Sequence, residues 1–265
     1  MSLTRVDEDC IRDLSDDAAL AHLRRAPRTF VPVEAISEGR ALFDKAKSKH
    51  IVRVLRMRDG DLVGVLDGLG NAWLGVLQDA SSGCASVRLL RTVPNPEHSA
   101  RDVQIAIPLL KGEKMDMVLQ KCTEMGVSAF HIVPAERSVA RVNGEMQGKL
   151  TRYRAIITSA AEQSGAFTLP IIRGWDDLDS FFSLIQCPLR YIAWEEEESR
   201  SCAEMAGQTD SCMLASGPEG GLSESEVERW RQNGFVTVSL GRRVLRAETA
   251  PIALSALALC VRGRP

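Results

Sequence analysis

Hydrophobic and polar positions follow two different rhythms along the chain, and the rhythm changes near residue 102. Between Arg28 and residue 94 the apolar runs are short, rich in β-branched residues and separated by Asp-Gly, Gly-Asn and Ser-Gly pairs. Strands at this spacing predict a small antiparallel barrel over residues 28–94. Residues 1–27 are polar and mixed, with a short helical pattern at Ala18 to Arg25. We expect them to form an N-terminal extension that is partly mobile.

The second rhythm begins after a linker. The stretch VPNPEHSARD contains two prolines and few apolar groups, which predicts a linker over residues 95–101. Val103–Leu110 is then a continuous apolar run, of the kind that forms a strand buried on both faces. The next segment places apolar residues at helical spacing before a glycine that signals a stop, at Met115, Leu119, Cys122, Met125 and Gly126.

Alternating units of this kind continue to the C terminus. Strand patterns lie at 129–135, 190–194, 211–216 and 235–240, and helical patterns at 148–165 and 247–263. They predict an α/β domain over residues 102–265, with a mostly parallel sheet and helices on both faces.

Composition narrows the class of protein. The apolar share is 45% and the charged share 26%, as in ordinary globular proteins. No run approaches the roughly 20 apolar residues that cross a bilayer, and no secretory signal is visible, so we expect a cytoplasmic protein without a membrane partner. The seven cysteines form no CxxC pair, which argues against a disulfide framework and against a metal site.

Local charge is more informative than the net charge of −2. Between Arg40 and Arg58 the chain has seven Lys or Arg residues and one acid. A basic patch on a near-neutral protein suits a polyanion that is bound over a limited surface. A solvated face without a partner is the alternative. An acidic run follows later, from Glu195 to Glu198.

Two glycine-containing loops are the candidate functional motifs. In the first, the strand 211–216 runs into the turn GPEGG, Gly217–Gly221, and a helix follows whose Ser223 and Glu226 match a capping box. Ligands of open α/β sheets bind at such strand ends. The glycine spacing matches neither the dinucleotide nor the P-loop pattern, and a plain strand-to-helix turn is the alternative.

The second loop, SLGRRVLRAETAPIALSAL, starts at Ser239. It is cationic, with Arg242, Arg243 and Arg246, and leads into a helix for which Thr249 is the predicted N-cap. A capped helix with surface arginines is the alternative. Because both loops follow strands of adjacent units, they can line one pocket.

Together, SGPEGGLSESEVE and LGRRVLRAETA resemble the two signature loops of the SPOUT class of methyltransferases. They are especially similar to the family that methylates N3 of a uridine in 16S ribosomal RNA. LLKGEKMDMVLQKCTEMGV, IVPAERSVAR and AAEQSG agree in order, and RTFVP with HIVRVLRMRDGD resembles that family's PUA-like barrel. The likeness runs from Arg28 to the C terminus. It departs at Ala166 and Phe167, where the family usually has a basic residue, and at Pro251, which interrupts the usual ETAALAAL.

The resemblance implies a deep trefoil knot, S-adenosylmethionine as methyl donor and a homodimer. It implies cofactor contacts from three strand ends: Ala193, Trp194, Glu195, Gly217, Pro218, Glu219, Gly220, Leu240, Gly241, Leu245, Arg246, Glu248 and Thr249. Arg246 is the candidate catalytic cation, because a positive charge beside the base favours the uridine anion. Glu219 or Glu248 can stabilise the cationic sulfonium or a ribose hydroxyl. Glu248 is the second candidate catalytic residue.

The implied partner is 16S rRNA or the small ribosomal subunit. We expect phosphate contacts from basic side chains in both domains: Lys47, Lys49, Arg53, Arg56, Arg58, Lys111, Lys114, Arg137 and Arg141. Two other functions remain open, namely a SPOUT enzyme acting on another rRNA or tRNA base and a non-catalytic RNA-binding factor.

Overall fold

The computed structural model describes residues 7–81, 83–96, 102–138, 146–205 and 211–260. It divides into two compact units. The first unit combines the N-terminal part of the chain, up to residue 99, with Ala161–Leu169. The second unit contains Ala100–Ala160 and the chain from Pro170 onward.

Two short helices open the first unit, α1 (Glu8–Arg12) and α2 (Asp16–Arg25). Asp7 and Ser15 cap them by accepting backbone N–H groups of the first turn. Ile11 and Leu23 are fully buried in a cluster with apolar residues of the sheet. The expectation of a partly mobile extension is therefore wrong for residues 7–25, because these helices bury apolar side chains that the sheet alone would leave exposed.

The sheet of the first unit is mixed. Its strands are β1 (Arg28–Phe30), β2 (Ile36–Ser37), β3 (Arg40–Leu42), β4 (Leu62–Leu66), β5 (Ala72–Gln78) and β6 (Ser86–Val93). They lie in the order β1-β4-β5-β6-β3-β2. The β1–β4 pairing is parallel and the others are antiparallel, which corrects the prediction of an antiparallel barrel at its first strand. Helix α3 (Lys45–Lys49) and a π-helical turn at His50–Val54 connect β3 to β4.

The segment Ala161–Leu169 completes this unit. The Glu162 carboxylate accepts hydrogen bonds from the Thr29 hydroxyl and the Phe30 amide, each at 3.0 Å. Phe167 is 2% exposed and packs in the same cluster as Leu23. The position at which the sequence departs from the expected basic residue is thus occupied by a core side chain.

The sheet of the second unit is parallel throughout. Its strands are β7 (Asp102–Pro108), β8 (Ala129–Val133), β9 (Ile171–Gly174), β10 (Leu189–Ala193), β11 (Ser211–Ala215) and β12 (Val236–Val238). They lie in the order β12-β10-β11-β7-β8-β9, and every described pairing is parallel. The helices are α4 (Glu113–Met125), α5 (Met146–Ser164), α6 (Leu178–Ser183), α7 (Glu224–Gln232) and α8 (Thr249–Cys260). The predicted α/β class with a mostly parallel sheet is confirmed.

Helices cover both faces of this sheet, and the strands supply residues to each face in alternation. Leu214 of β11 packs with α4, α5 and α8, whereas its neighbours Met213 and Ala215 pack with α6 and α7. This alternation explains why the strands are apolar throughout. The second face has a group of aromatic rings, among which Trp230 and Phe235 meet edge to face at 4.5 Å.

The chain after β12 returns from the sheet edge to its middle. Helix α8 contacts α4, β7 and β11, although β12 lies at the outer side of β10. The trefoil knot implied by the resemblance stays a prediction. Within the described ranges, no helix is long and apolar enough to span a bilayer.

Candidate functional site

A pocket of about 290 Å³ lies at the carboxyl edge of the second sheet. Its wall is formed where β10, β11 and β12 end, together with the first turn of α4. Because these strands are parallel, their carboxyl ends meet at one edge, where ligands of α/β sheets bind. The volume is near the lower end of the roughly 300–1,000 Å³ typical of small-molecule sites.

The turn Gly217–Gly221 forms one wall, and its glycines are required by the chain's own packing. Gly221 has a φ of +70°, and a Cβ atom there would collide with the Glu195 carboxylate. At Gly220 a Cβ atom would lie 2.9 Å from Cβ of Arg137. The turn is therefore tight because neighbouring segments approach its backbone.

The helix after this turn begins as predicted. Ser223 accepts the Glu226 amide at 3.2 Å, and the Glu226 carboxylate accepts the Ser223 amide at 3.0 Å. Glu226 also accepts the Glu136 amide at 2.8 Å, and the Ser223 hydroxyl donates to the Glu136 carboxylate at 2.7 Å. The capping box thus also fixes the loop after β8 against the glycine turn.

Two carboxylates and one ammonium form a charged cluster at the pocket. Lys114 Nζ lies 3.3 Å from Glu219 Oε1 and 3.7 Å from Glu248 Oε2. Glu219 Oε1 also accepts the Lys111 backbone amide at 3.3 Å. Burial acts to raise the pKa of Glu219, but hydrogen bonds from its own amide and from Lys111, together with the Lys114 ammonium, hold that pKa below its ordinary value. Glu219 is therefore a carboxylate at neutral pH.

The loop after β12 is cationic and open to solvent. Val244 is 82% exposed, and the Arg246 side chain is 83% exposed, with Nη1 4.0 Å from Glu248 Oε1. Helix α8 begins at Thr249 itself, so the prediction that Thr249 is the N-cap is wrong by one residue. Pro251 lies in the first turn, where its missing N–H removes no helical hydrogen bond.

Trp194 lines the pocket, and its ring contacts Arg231, which is paired with Glu197. The Arg231 guanidinium lies 5.2 Å from the ring centroid, and it approaches the buried Glu197 carboxylate at 3.7 Å. Hydrogen bonds from Ser199 and from the Thr237 hydroxyl lower the pKa of Glu197 to about 2. A permanently charged carboxylate therefore anchors the segment after β10 to β12 and α7.

The structure brings most of the predicted cofactor residues to this pocket. The lining includes Ala193, Trp194, Glu195, Gly217, Pro218, Glu219, Leu240, Gly241, Leu245 and Arg246. Gly220 and Thr249 do not line it, and Glu248 reaches it through Lys114. Ser216, Ser239 and Lys114 line the pocket without having been predicted to do so. Each of the two serines directly follows a strand residue, a position that marks them as lining candidates.

The predicted RNA contacts have different surroundings. In the first unit, Lys47 is half-buried and donates to the Thr29 hydroxyl at 3.2 Å, whereas the other predicted residues there, Lys49, Arg53, Arg56 and Arg58, are exposed. In the second unit, Lys111 is exposed and Arg137 donates to the Gly220 carbonyl at 3.3 Å. Lys114 is paired within the pocket, and Arg141 lies outside the described residues.

The pocket suits a ligand that is both cationic and partly apolar. Buried polar atoms without a hydrogen-bond partner in the described part of the chain gather around it: Trp194 Nε1, Ser216 Oγ, Glu219 Oε2 and Glu248 Oε2. Buried polar groups are normally satisfied, so such a cluster indicates missing partners. In the described residues no group of His, Cys, Asp and Glu side chains is placed to hold a metal ion.

Comparison with known proteins gives two family matches. Residues 97–259 match an RNA methyltransferase domain, and residues 43–90 match an RNA methyltransferase PUA domain. The first match contains every residue that lines the pocket. The second contains the π-helical turn and the exposed side chains of Arg53, Arg56 and Arg58.

Relatives match over most of the chain. The ribosomal RNA small subunit methyltransferase E of Synechocystis is 35% identical over 85% of this chain and 75% of its own length. The Bacillus subtilis protein of the same name is 34% identical over 78% of this chain and 85% of its own length.

Solved structures agree. A putative methyltransferase from Legionella pneumophila, in complex with bound S-adenosylmethionine, matches with a TM-score of 0.81 and 30% identity, covering 88% of this chain and 97% of its own. A ribosomal RNA small subunit methyltransferase E from Neisseria gonorrhoeae, bound to S-adenosylmethionine, matches with a TM-score of 0.78 and 28% identity, covering 87% and 95%. This chain belongs to the ribosomal RNA small subunit methyltransferase E family.

Proposed function

We propose that this protein transfers a methyl group from S-adenosylmethionine to N3 of a uridine in small-subunit ribosomal RNA. The observation that supports this most directly is the pocket, where Glu219 and an exposed arginine, Arg246, line one space and Glu248 approaches it through Lys114. The relatives act on small-subunit rRNA by name, and two of the similar structures contain S-adenosylmethionine.

The residues present fit S-adenosylmethionine. Leu240, Leu245 and Pro218 supply apolar wall for a flat ring, and the backbone of the glycine turn is free of large side chains. Glu219 and Glu248 are carboxylates with oxygens that lack partners in the described structure, and these suit a cation or a hydroxyl group. When bound, S-adenosylmethionine supplies an electrophilic methyl group on a positively charged sulfur.

The chain's own residues then act on the RNA base. The uridine N3 proton must leave as the new N–C bond forms, so a nearby positive charge lowers the cost of the anionic base. Arg246 is the proposed source of that charge, because its side chain lines the pocket and remains 83% exposed. Glu248 lies 4.0 Å from the guanidinium and limits where it can point.

The proposed RNA contacts are four exposed side chains of the first unit: Lys49, Arg53, Arg56 and Arg58. Arg56 and Arg58 line a second concave surface there with Val52 and Met57. Cations of this kind bind phosphates and set position rather than sequence. Lys47 is a weaker candidate, because its ammonium is already engaged with Thr29 and lies 3.8 Å from the Glu162 carboxylate.

The proposal includes a homodimer. Helix α8 has the sequence TAPIALSALALC, which is apolar on nearly every side. Several of its apolar residues are only partly buried in the single chain, namely Ile252, Ala253, Ala256, Leu257 and Leu259. A helix that is hydrophobic all round is normally covered, and a second copy would cover this one. Sedimentation of the pure protein as a monomer at micromolar concentration would contradict this part.

The decisive experiment uses methyl-labelled S-adenosylmethionine with purified small-subunit rRNA and with small-subunit particles. After digestion, we expect the label in N3-methyluridine by nucleoside mass spectrometry. Label in a different nucleoside would support a SPOUT enzyme with another target. RNA binding without labelling, combined with no heat of S-adenosylmethionine binding in calorimetry, would support the non-catalytic RNA-binding factor.

A further inference from the structure

Lys114 is the residue whose surroundings differ most from its predicted role. A cation in the first turn of α4 faces the positive end of the helix macrodipole, where positive charge is disfavoured. Its ammonium nevertheless lies within ion-pair distance of two carboxylates from two other segments. One side chain thus connects α4, the glycine turn after β11 and the loop before α8.

The two carboxylates depend on this cation for their charge balance. The side chains of Glu219 and Glu248 are 20% and 11% exposed, and a single nitrogen lies 3.3 Å from one and 3.7 Å from the other. Like charges that share a site raise each other's tendency to take up a proton. Arg246 compensates little, because it is 4.0 Å away and mostly in solvent. Lys111 contributes its backbone amide to Glu219, while its side chain is exposed.

One oxygen of each carboxylate still lacks a hydrogen-bond donor in the described part of the chain. These are Glu219 Oε2 and Glu248 Oε2, and both are buried. The buried cluster of Lys114, Glu219 and Glu248 has a formal charge of −1, which suits one additional positive charge. The other charged side chains that line the pocket are exposed to solvent: Glu195, Arg242, Arg243 and Arg246. A sulfonium carries such a charge, and the thioether that remains after methyl transfer does not.

We infer that Lys114 is a positioning residue of the pocket, which holds Glu219 and Glu248 on one ammonium so that the pocket discriminates the sulfonium of S-adenosylmethionine from the neutral sulfur of S-adenosylhomocysteine. This inference rests on the proposed function. It replaces the prediction that Lys114 contacts RNA phosphates.

The test measures ligand binding without RNA. Calorimetry of the full chain with S-adenosylmethionine and S-adenosylhomocysteine, from pH 6 to pH 9, gives the ratio of the two dissociation constants. Lys114→Met removes the charge at similar length, and Lys114→Arg conserves it. Lys121→Met is the matched control, because Lys121 is on the same helix, pairs with Glu124 and does not line the pocket. Melting temperature and far-UV circular dichroism establish that each variant is folded.

For Lys114→Met we expect the preference for the sulfonium ligand to fall about tenfold near pH 6 and to recover toward pH 9, because the Lys114 ammonium is one of the groups that hold the pKa of Glu219 below its ordinary value. Lys114→Arg should restore most of the preference, and Lys121→Met should leave it unchanged. In the Glu219→Gln background, Lys114→Met should have a smaller effect, since coupled residues are not additive.

A ratio in Lys114→Met that matches the wild type at every pH would overturn the inference. A separate RNA titration then identifies the alternative role: weaker RNA binding with a salt slope reduced by about one is the signature of a phosphate contact. If the wild-type chain binds neither ligand, the proposed function fails instead, so the two failures are distinguishable.

Discussion

The buried histidine of β8, His131, should make the second unit lose stability as the pH falls from 6.5 toward 4. His131 is 8% exposed, and both ring nitrogens are occupied. Trp175 Nε1 donates to Nδ1 at 3.1 Å, and Nε2 lies 2.9 Å from Gln104 Oε1. Because an indole nitrogen can only donate, Nδ1 is the unprotonated nitrogen and Nε2 carries the hydrogen. A second proton on Nδ1 would therefore face the N–H of Trp175, which can only donate.

The size of the effect follows from the pKa. Burial, reinforced by the charge of Arg173 and opposed by that of Asp102, lowers the pKa of His131 from 6.5 to about 4. Between pH 6.5 and pH 4, His131 is therefore protonated in the unfolded chain and neutral in the folded chain. The free energy of unfolding should consequently be highest above pH 6.5 and should fall as the pH decreases toward 4. At about 1.4 kcal/mol per unit, the loss is about 2 kcal/mol at pH 5 and about 3 kcal/mol in full.

A non-titrating variant isolates this contribution. His131→Gln should be less stable than the wild type at pH 7, because it repacks the site, but its stability should change less between pH 6.5 and pH 4.5. Urea unfolding of both proteins, followed by tryptophan fluorescence, gives the difference at each pH, and groups common to both cancel. Glu197 does not interfere, since its contribution is lost only below pH 4.5. A difference that stays constant from pH 7 to pH 4.5, or an imidazolium signal assigned to His131 in NMR spectra at pH 6, would refute the argument.

Three further predictions concern separate parts of the chain. Leu23→Ala should destabilise the first unit by about 2–5 kcal/mol, because Leu23 is 2% exposed in its core, whereas Leu20→Ala, at a partly buried position, should cost less in the same thermal melt. Ser223→Ala should lower the unfolding free energy by about 1 kcal/mol through the lost cap of α7, and an unchanged denaturation midpoint would count against it. Arg246→Ala should retain S-adenosylmethionine binding but lose methyl transfer about 100-fold or more, and turnover at the wild-type rate would remove its proposed role.

The fold of the second unit could be predicted from local pattern because each strand is apolar on both faces. The first unit could be predicted less well. Its parallel β1–β4 pair joins Arg28 to Gly64, and nothing in a local pattern specifies the partner of a three-residue strand. Strand β9 (Ile171–Gly174) and α6 (Leu178–Ser183) escaped prediction because both are short. Helices α1 and α2 contain few apolar residues, so their sequence alone does not predict that they pack on the sheet.

The site shows the same limit at the level of single residues. That the loops after β11 and β12 line one pocket follows from topology, since parallel strands end at one edge, whereas the contact at Trp194 was implied only by the family resemblance. The position of Lys114 in the pocket could not be predicted in this way, because a lysine in the first turn of a helix is usually an exposed cation. Only the folded chain shows that Glu219 and Glu248, which lie more than 100 residues away in sequence, converge on its ammonium.

The glycine turn illustrates how a correct location can have a different cause. The turn lies at a strand end, where ligands of α/β sheets bind, yet the atoms that a Cβ would meet belong to Leu222 at Gly217, to Arg137 at Gly220 and to Glu195 at Gly221. The small side chains therefore let three segments pack closely behind the pocket wall. That packing fixes the backbone of the wall, and it places the Glu219 carboxylate against the amide of Lys111 and the ammonium of Lys114. The glycines thus contribute to the site through the carboxylate that they position.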